Sequence, residues 1–403
     1  MNTKGKVAIV HKGVNSTYET IKKAVDLLGG IGRFVKPGQK VMLKPNYTGN
    51  LLPETGSVTS LAVLEGIIVM LQEVGIENII IGEGCGTVHV GTSRIFENVG
   101  VSKLAERYNV MLRDLNLDKM ITVKDKRFKE LKEVKVAETV YNVDLIINIP
   151  MLKTHPLTDV TLSLKNMKGV IAPSEKRRFH NINLHQAVAD LHLVLPKYLT
   201  IADGLIAQEG LGPAEGTPVP LGLIIAGDNP VAVDSVCSRI MGFNPADIRH
   251  IRYSAEIGIG SYSLNDIEIV GATIESVARK FEPAVTALKE YPGVEIYSSN
   301  PCSGCIAALV IALDRMLKMG DLVKFEGLQI CLGSATQNIK NIKRLFYLGN
   351  CTKQNYEKSK CNPNVHYIEG CAPPGLEVEE RIREVYGIPR SNPLLTSSNN
   401  SVN

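Results

Sequence analysis

Between residues 294 and 386 short apolar runs alternate with amphipathic segments, and this stretch holds six of the chain's eight cysteines. Val294-Glu295-Ile296-Tyr297 leads to Pro301-Cys302-Ser303-Gly304-Cys305, and Leu345-Phe346-Tyr347-Leu348 leads to Gly349-Asn350-Cys351. Val365-His366-Tyr367-Ile368 leads to Gly370-Cys371-Ala372-Pro373-Pro374. Residues 307–317 and 376–386 have helical apolar spacing. Strands alternating with helices predict a parallel sheet. Loops at the carboxyl ends of its strands gather on one edge, where ligands bind. Cys302, Cys305, Cys351 and Cys371 are therefore expected to converge. Four thiolates are the usual ligand set of a 4Fe–4S cluster, and Gly304 gives the Cys-x-x-Cys turn its freedom.

Zinc is an alternative, although structural zinc usually takes two short-spaced pairs and this chain has one. A dithiol redox pair is another. Cys331 lies mid-strand in Gln329-Ile330-Cys331-Leu332 and reads as a buried small hydrophobe. Cys361, in a loop, is the substitute should one of the four be misassigned. Cys237 sits on an apolar helix and reads as core, while Cys85 follows a Gly-rich turn and stays unassigned.

The preceding residues repeat the alternation. Strands are expected near 6–10, 40–43, 78–81, 110–115, 144–149, 199–202, 221–226 and 266–270. Helices are expected near 18–28, 61–74, 102–108, 184–195, 231–241 and 248–257, with Ser and Thr of 57–60 capping the second. The fold class is α/β: a doubly wound, mostly parallel sheet domain over 1–280, then a smaller flavodoxin-like α/β domain over 281–390. The Ser/Asn-rich 391–403 reads as a disordered tail. A net charge of +4 is too small to argue for nucleic acid. With 5% aromatic residues and no Trp, few rings are available to stack on bases or a flavin. No apolar run approaches the ~18 residues of a spanning helix, and the first residues read as a strand rather than a signal peptide. A cytoplasmic setting follows, where cysteines serve as metal ligands or buried thiols more often than as disulfides.

A second constellation lies at the strand ends of the large domain. Lys153, Thr154 and His155 leave the strand near 144–149; Lys44 and Asn46 leave another, and Glu83 a third. Lys165, Asn166 and Lys168 add positive charge and amide donors, and Asp203 is read at the end of a further strand. Such a set suits a small anionic carboxylate or phosphate, with His155 as acid or base and Lys153 and Lys165 beside it. Arg178 and His180, after Pro173, are read as a lid over the same cleft. Asp234 is read as complementing its own helix dipole. The blander alternative is that these groups satisfy loop backbone or form surface pairs.

Lys44-Pro45-Asn46, residues 150–155 and 163–169, Asp203-Gly204 and residues 228–234 together resemble the domain of unknown function 362 family, over about 6–270. That resemblance implies an uncharacterised domain often found in iron–sulfur proteins of anaerobic microbes, with no established reaction. The cysteine pattern resembles the small cluster-carrying subunits of nickel–iron hydrogenases and respiratory complex I, although Ala372 is inserted before the prolines. It implies Cys302, Cys305, Cys351 and Cys371 as ligands. A fainter similarity links Lys153-x-His155 and Ser163-Leu164-Lys165 to the nickel-pincer lactate racemases.

The expected function is that of an iron–sulfur oxidoreductase or electron-transfer protein acting on an anionic small molecule. A non-catalytic electron carrier, an assembly partner and a zinc protein are the alternatives. The partners implied are a small anionic substrate or cofactor and a redox protein, with a homodimer compatible and no nucleic acid or membrane span.

Overall fold

A computed structural model describes residues 5–86, 91–179, 182–210, 212, 216–284, 290–299, 301, 303–333, 339, 341–370 and 373–389. The chain divides into two compact units, Met1–Ala284 and Val285–Asn403.

In the first unit β1 (Gly5–His11), α1 (Thr17–Leu27), β2 (Lys40–Lys44), α2 (Leu61–Glu73), β3 (Asn78–Glu83), α3 (Thr92–Val99), α4 (Val101–Tyr108) and β4 (Met111–Asp114) come first. The pair β5 (Met120–Val123) and β6 (Val134–Ala137) precedes β7 (Leu145–Asn148), β8 (Met151–His155) and β9 (Asp159–Thr161). The single turn α5 (Ser163–Asn166), α6 (Pro173–Arg178) and α7 (Leu184–Leu191) lead to β10 (Tyr198–Glu209) and β11 (Thr217–Gly227). α8 (Pro230–Ile240), α9 (Arg249–Glu256), β12 (Ile267–Gly271) and the turn α10 (Ile274–Val277) complete it.

The main sheet runs β12-β1-β11-β10-β7-β2-β3-β4, with β8 on β10 and β9 on β8. Its central strands are buried on both faces, which is why they read as nearly continuous apolar runs, while the edge strands β4 and β12 are largely open. In β1, Val7 and Ile9 join one core with α7, α8 and α9, while Ala8 and Val10 join another with α1, α2 and α4. Most pairings are parallel. β11, however, is antiparallel to both β10 and β1. The link between β10 and β11 is too short for a helical crossover, which needs a dozen or more residues. The strand expected at 199–202 is correspondingly longer, and Asp203 lies inside it. There β10 changes neighbour, pairing with β7 through Thr200 and with β8 from Asp203.

Two capping expectations change. Ser60 precedes α2 without a side-chain cap; the Asp203 carboxylate accepts from Ser60 N at 2.8 Å instead. Asp234 is not spent on its own helix. It accepts from Ser163 N and Leu164 N at 2.7 and 3.0 Å, fixing the start of α5. Asn229 and Pro230 do begin α8 as their types suggest, with Asn229 Oδ1 accepting from Ala232 N at 3.0 Å.

The second unit comprises β13 (Val294–Ser299), α11 (Ser303–Lys318), β14 (Leu328–Gly333), β15 (Arg344–Leu348), α12 (Lys353–Ser359), β16 (Val365–Ile368) and α13 (Gly375–Tyr386). Its four strands are all parallel and stand in chain order. α11 and α13 pack Leu309, Leu313, Val378 and Ile382 against Ile330 and Phe346 of the sheet. Buried Arg383 ties α13 to Asp321 at 2.9 Å and pairs with Glu379, one turn earlier on the same helix, at 2.8 Å.

Candidate functional site

Each unit holds one of the expected constellations. In the second unit Cys305 lies in the first turn of α11, after β13, where the helix dipole favours negative charge. Cys351 lies in a single 3-10 turn, Asn350–Thr352, after β15. The loops after β15 and β16 are stitched together. Gly349 N donates to Ile368 O at 2.9 Å, Asn350 N to Gly370 O at 2.8 Å, and Gly370 N to Asn350 Oδ1 at 2.9 Å.

Gly349 is the point on which they close. A Cβ built there would stand 2.7 Å from Cys305 Sγ, 3.9 Å from Cys351 Sγ and 3.5 Å from Gly370 O. Two of the four expected thiols therefore flank one glycine, and the residue before Cys371 reaches the same point. Cys302 and Cys371 themselves lie outside the described residues. Among the described residues no group of three or more His, Cys, Asp or Glu is arranged to hold a metal.

Cys331 is buried within β14 among Leu345, Tyr347 and Val365, and burial pushes its thiol up to about 11. Cys361 does not suit the role of substitute. It precedes β16, at the edge where the parallel strands begin, whereas Cys305 and Cys351 follow their strands. In the first unit Cys237 is core, as its apolar helix suggests, and Cys85 is buried beside Thr92 and Asn116.

The expected cationic set of the first unit forms a buried network rather than an open wall. Lys44 Nζ reaches both carboxylate oxygens of Glu83, at 2.8 and 2.9 Å, and Glu83 also accepts from Tyr47 N and Gly84 N. Lys153 Nζ donates to Asn46 Oδ1 at 2.9 Å and Ser57 O at 2.7 Å. Asn46 Nδ2 donates to Asn166 Oδ1 at 2.8 Å, and Asn166 Nδ2 to Asn148 Oδ1 at 2.7 Å. Asn148 in turn donates to Ser163 Oγ at 2.9 Å. Gly169 closes over this network, since a side chain there would run into the Glu83 carboxylate and the Lys44 ammonium. The glycine that ends Ser163–Gly169 is thus required by close approach, not by backbone angle.

The remaining expected residues fall nearby or apart. Thr154 Oγ1 donates to Gly210 O at 3.1 Å, and His155 Nδ1 accepts from Leu157 N at 3.0 Å. Lys165 Nζ donates to Thr161 Oγ1 at 3.3 Å, and Lys168 Nζ stands 5.7 Å from the Phe179 ring centre. Arg178 turns away to Glu175 and to Glu133 O. The lid expectation is corrected: residues 173–178 form α6. Its Lys176 is buried and donates to Asn116 Oδ1 at 2.6 Å and Gly84 O at 2.8 Å. A lysine tied at that depth anchors the segment. His180 lies outside the described residues.

Burial without full compensation shifts these groups. It pulls Lys153 and Lys168 down to about 7 and Lys176 to about 8. It pushes Asp203 up to about 6 and Asp234 up to about 8, against the pull of the backbone N–H groups that each accepts from. The sign is opposite for the two classes. A raised acid contributes stability that is lost as pH rises through its folded value. A depressed lysine leaves the unfolded chain holding more protons between its folded value and the ordinary value near 10.4, so stability rises with pH there. Above pH 8 the lysines dominate. The urea midpoint of the first unit is therefore expected to rise between about pH 8 and 10, and Lys153→Met to flatten that rise.

Asn148, Ser163, Lys176 and Asp234 are network members that the sequence reading left out of the site. Asn148 carried a signal, as a lone amide closing the apolar strand Leu145–Asn148.

A Thermotoga maritima protein from a structural genomics programme is 17% identical to this chain over 56% of it and 59% of that chain, with a TM-score of 0.39. The lactate racemase apoprotein of Thermoanaerobacterium thermosaccharolyticum is 11% identical over 95% of this chain and 82% of its own, with a TM-score of 0.38. A thylakoid-associated protein of Synechocystis sp. is 27% identical over 258 residues, 60% of this chain and 76% of that protein. No helix among the described residues is long and apolar enough to cross a membrane. Residues 41–239, which carry the whole buried network from Lys44 to Asp234, match the family described as domain of unknown function (DUF362).

Proposed function

We propose that the second unit holds a 4Fe–4S cluster on Cys302, Cys305, Cys351 and Cys371, and that the first unit binds a small anionic molecule near Lys153 and Lys165. The observation that carries the reading is the placement of Cys305 Sγ and Cys351 Sγ about Gly349. The absence of a Cβ there keeps the space beside the Cys305 thiol clear on the side that faces Cys351. The resemblance of the cysteine pattern to the small subunits of nickel–iron hydrogenases and complex I supports the same assignment. A cluster with four thiolates has no open iron and supplies one-electron transfer. The chain's part is to hold the thiols on a rigid sheet edge and to bind the anion on lysines. On this reading the protein is an oxidoreductase or electron-transfer protein working in the cytoplasm with a redox partner.

Protein purified without oxygen is expected to contain about four iron and four acid-labile sulfide atoms per chain and, once reduced, to give a paramagnetic resonance signal. Cys305→Ser and Cys351→Ser are each expected to abolish both. Stoichiometric zinc without sulfide overturns the cluster. Reoxidation of the reduced protein by an added anionic substrate separates an oxidoreductase from an electron carrier with no chemistry of its own.

A further inference from the structure

The hydrogen bonds that occupy Lys44, Asn46 and Lys153 do not account for the groups gathered around Lys165. This side chain is buried, and its partner among the described residues is the Thr161 hydroxyl at 3.3 Å. Burial first, and then the neighbouring charges of Lys168 and Lys153, pull it well below its ordinary value. α7 brings His185 and α9 brings His250 to the same region, their rings stacked with centres 5.9 Å apart. His250 is fully buried, and neither of its ring nitrogens has a hydrogen-bond partner among the described residues; His185 Nδ1 has none either.

Buried nitrogens left in this way demand an explanation, because native proteins pair nearly all of them. A cation does not answer the need, since the Arg249 guanidinium, which acts on His185, would repel it. An oxyanion does: it accepts from every one of these groups, and charge-assisted bonds to an anion are the strong ones.

We infer that Lys165, His185 and His250 form a buried receptor for a small oxyanion of the phosphate or carboxylate class. This rests on the reading of the first unit as an anion binder and assigns the groups that receive the charge. Lys153 of β8, Lys168 after α5 and Arg249 of α9 add positive charge around it, while His192 at the end of α7 is held neutral by burial, its ring nitrogens taken by Val188 O and the Tyr198 hydroxyl. Asp159 of β9 lies beside Arg249. Asp234 of α8 faces the start of α5, with its oxygens taken by Ser163 N and Leu164 N. Burial first, and positive neighbours second, hold both rings neutral, and His185 is pulled down to about 4. An arriving anion reverses that balance, so binding takes up protons and weakens as pH rises.

The test is calorimetry on the full chain at pH 7 with inorganic phosphate and, separately, malonate, in two buffers of different ionisation enthalpy. One anion is expected to bind with net proton uptake, and the choice between them names the class. Lys165→Met and His250→Phe, the latter keeping an aromatic ring in the stack, are each expected to weaken binding at least ~tenfold and to lower the proton count. Nitrogen-15 spectra of the wild-type histidines give a readout without any variant: His250 is expected to pass from neutral to protonated on saturation. If Lys153→Met abolishes binding while His250→Phe changes neither affinity nor proton count, this receptor is overturned and an anion site elsewhere in the unit stands. If neither anion binds at millimolar concentration, both readings fall.

Discussion

Alanine at position 349 is expected to prevent the second unit from holding the proposed cluster while leaving every cysteine in place. Gly349 has φ 89° and ψ 156°, a region open essentially to glycine alone. Forcing another residue there costs about 1–3 kcal/mol. The steric consequence is more specific. The new methyl group would stand 2.7 Å from Cys305 Sγ, closer than a carbon and a sulfur can rest, so the thiol must move. Because Gly349 N also donates to Ile368 O, the loop has little freedom to carry the methyl away. Iron and sulfide in anaerobically purified Gly349→Ala are expected to fall to a minor fraction of the wild-type content. Gly387→Ala is the control. Gly387 ends α13 with φ 66° and open space around it, so alanine there meets a backbone cost without touching a thiol. That variant is expected to lose stability and keep its iron. Full loading of Gly349→Ala would detach the two thiols from the proposed site.

The fold was legible where burial imposes one pattern on the sequence. Runs such as Ile79-Ile80-Ile81 and Leu145-Ile146-Ile147 are buried on both faces of the sheet, and their shortness and β-branched residues favour strand over buried helix. The positions after each strand of the second unit followed from parallel pairing alone, which is why the location of Cys305 and Cys351 could be anticipated. The direction of β11 could not be, because period-2 apolar spacing is identical in a parallel and an antiparallel neighbour. The lysines show a different limit. Their number and their place at strand ends were visible, but not their depth. Lys44 and Lys153 are fully buried and already hydrogen-bonded, and only the folded chain shows which carbonyls and amides receive them. His185 and His250 lie on helices, and nothing in a sequence reports that a buried ring nitrogen there lacks a partner.

Glu83→Ala is expected to be the most damaging single change in the first unit, with at least about 3–5 kcal/mol lost from the ion pair alone. That is the cost of breaking a buried ion pair by deleting one partner. Lys44 is fully buried, and burial already pulls it below its ordinary value, with the Glu83 charge pulling it back. Without the carboxylate the ammonium has Pro45 O at 2.7 Å but no counter-charge at hand. Tyr47 N and Gly84 N lose their acceptor in the same step, at about 1–3 kcal/mol for each buried group left unmade. Two measurements separate these causes. Lys44→Met combined with Glu83→Ala removes the unpaired charge and leaves the two amides unmatched. The double variant is therefore expected to recover part, not all, of the loss in urea unfolding. The penalty in Glu83→Ala alone should also shrink as pH rises, because Lys44 then sheds its proton in the folded state well before the unfolded chain does. A penalty that is independent of pH and undiminished in the double variant would assign the whole effect to the amides. Glu83 would then be a backbone acceptor, and the positive charge of Lys44 would be incidental to the fold.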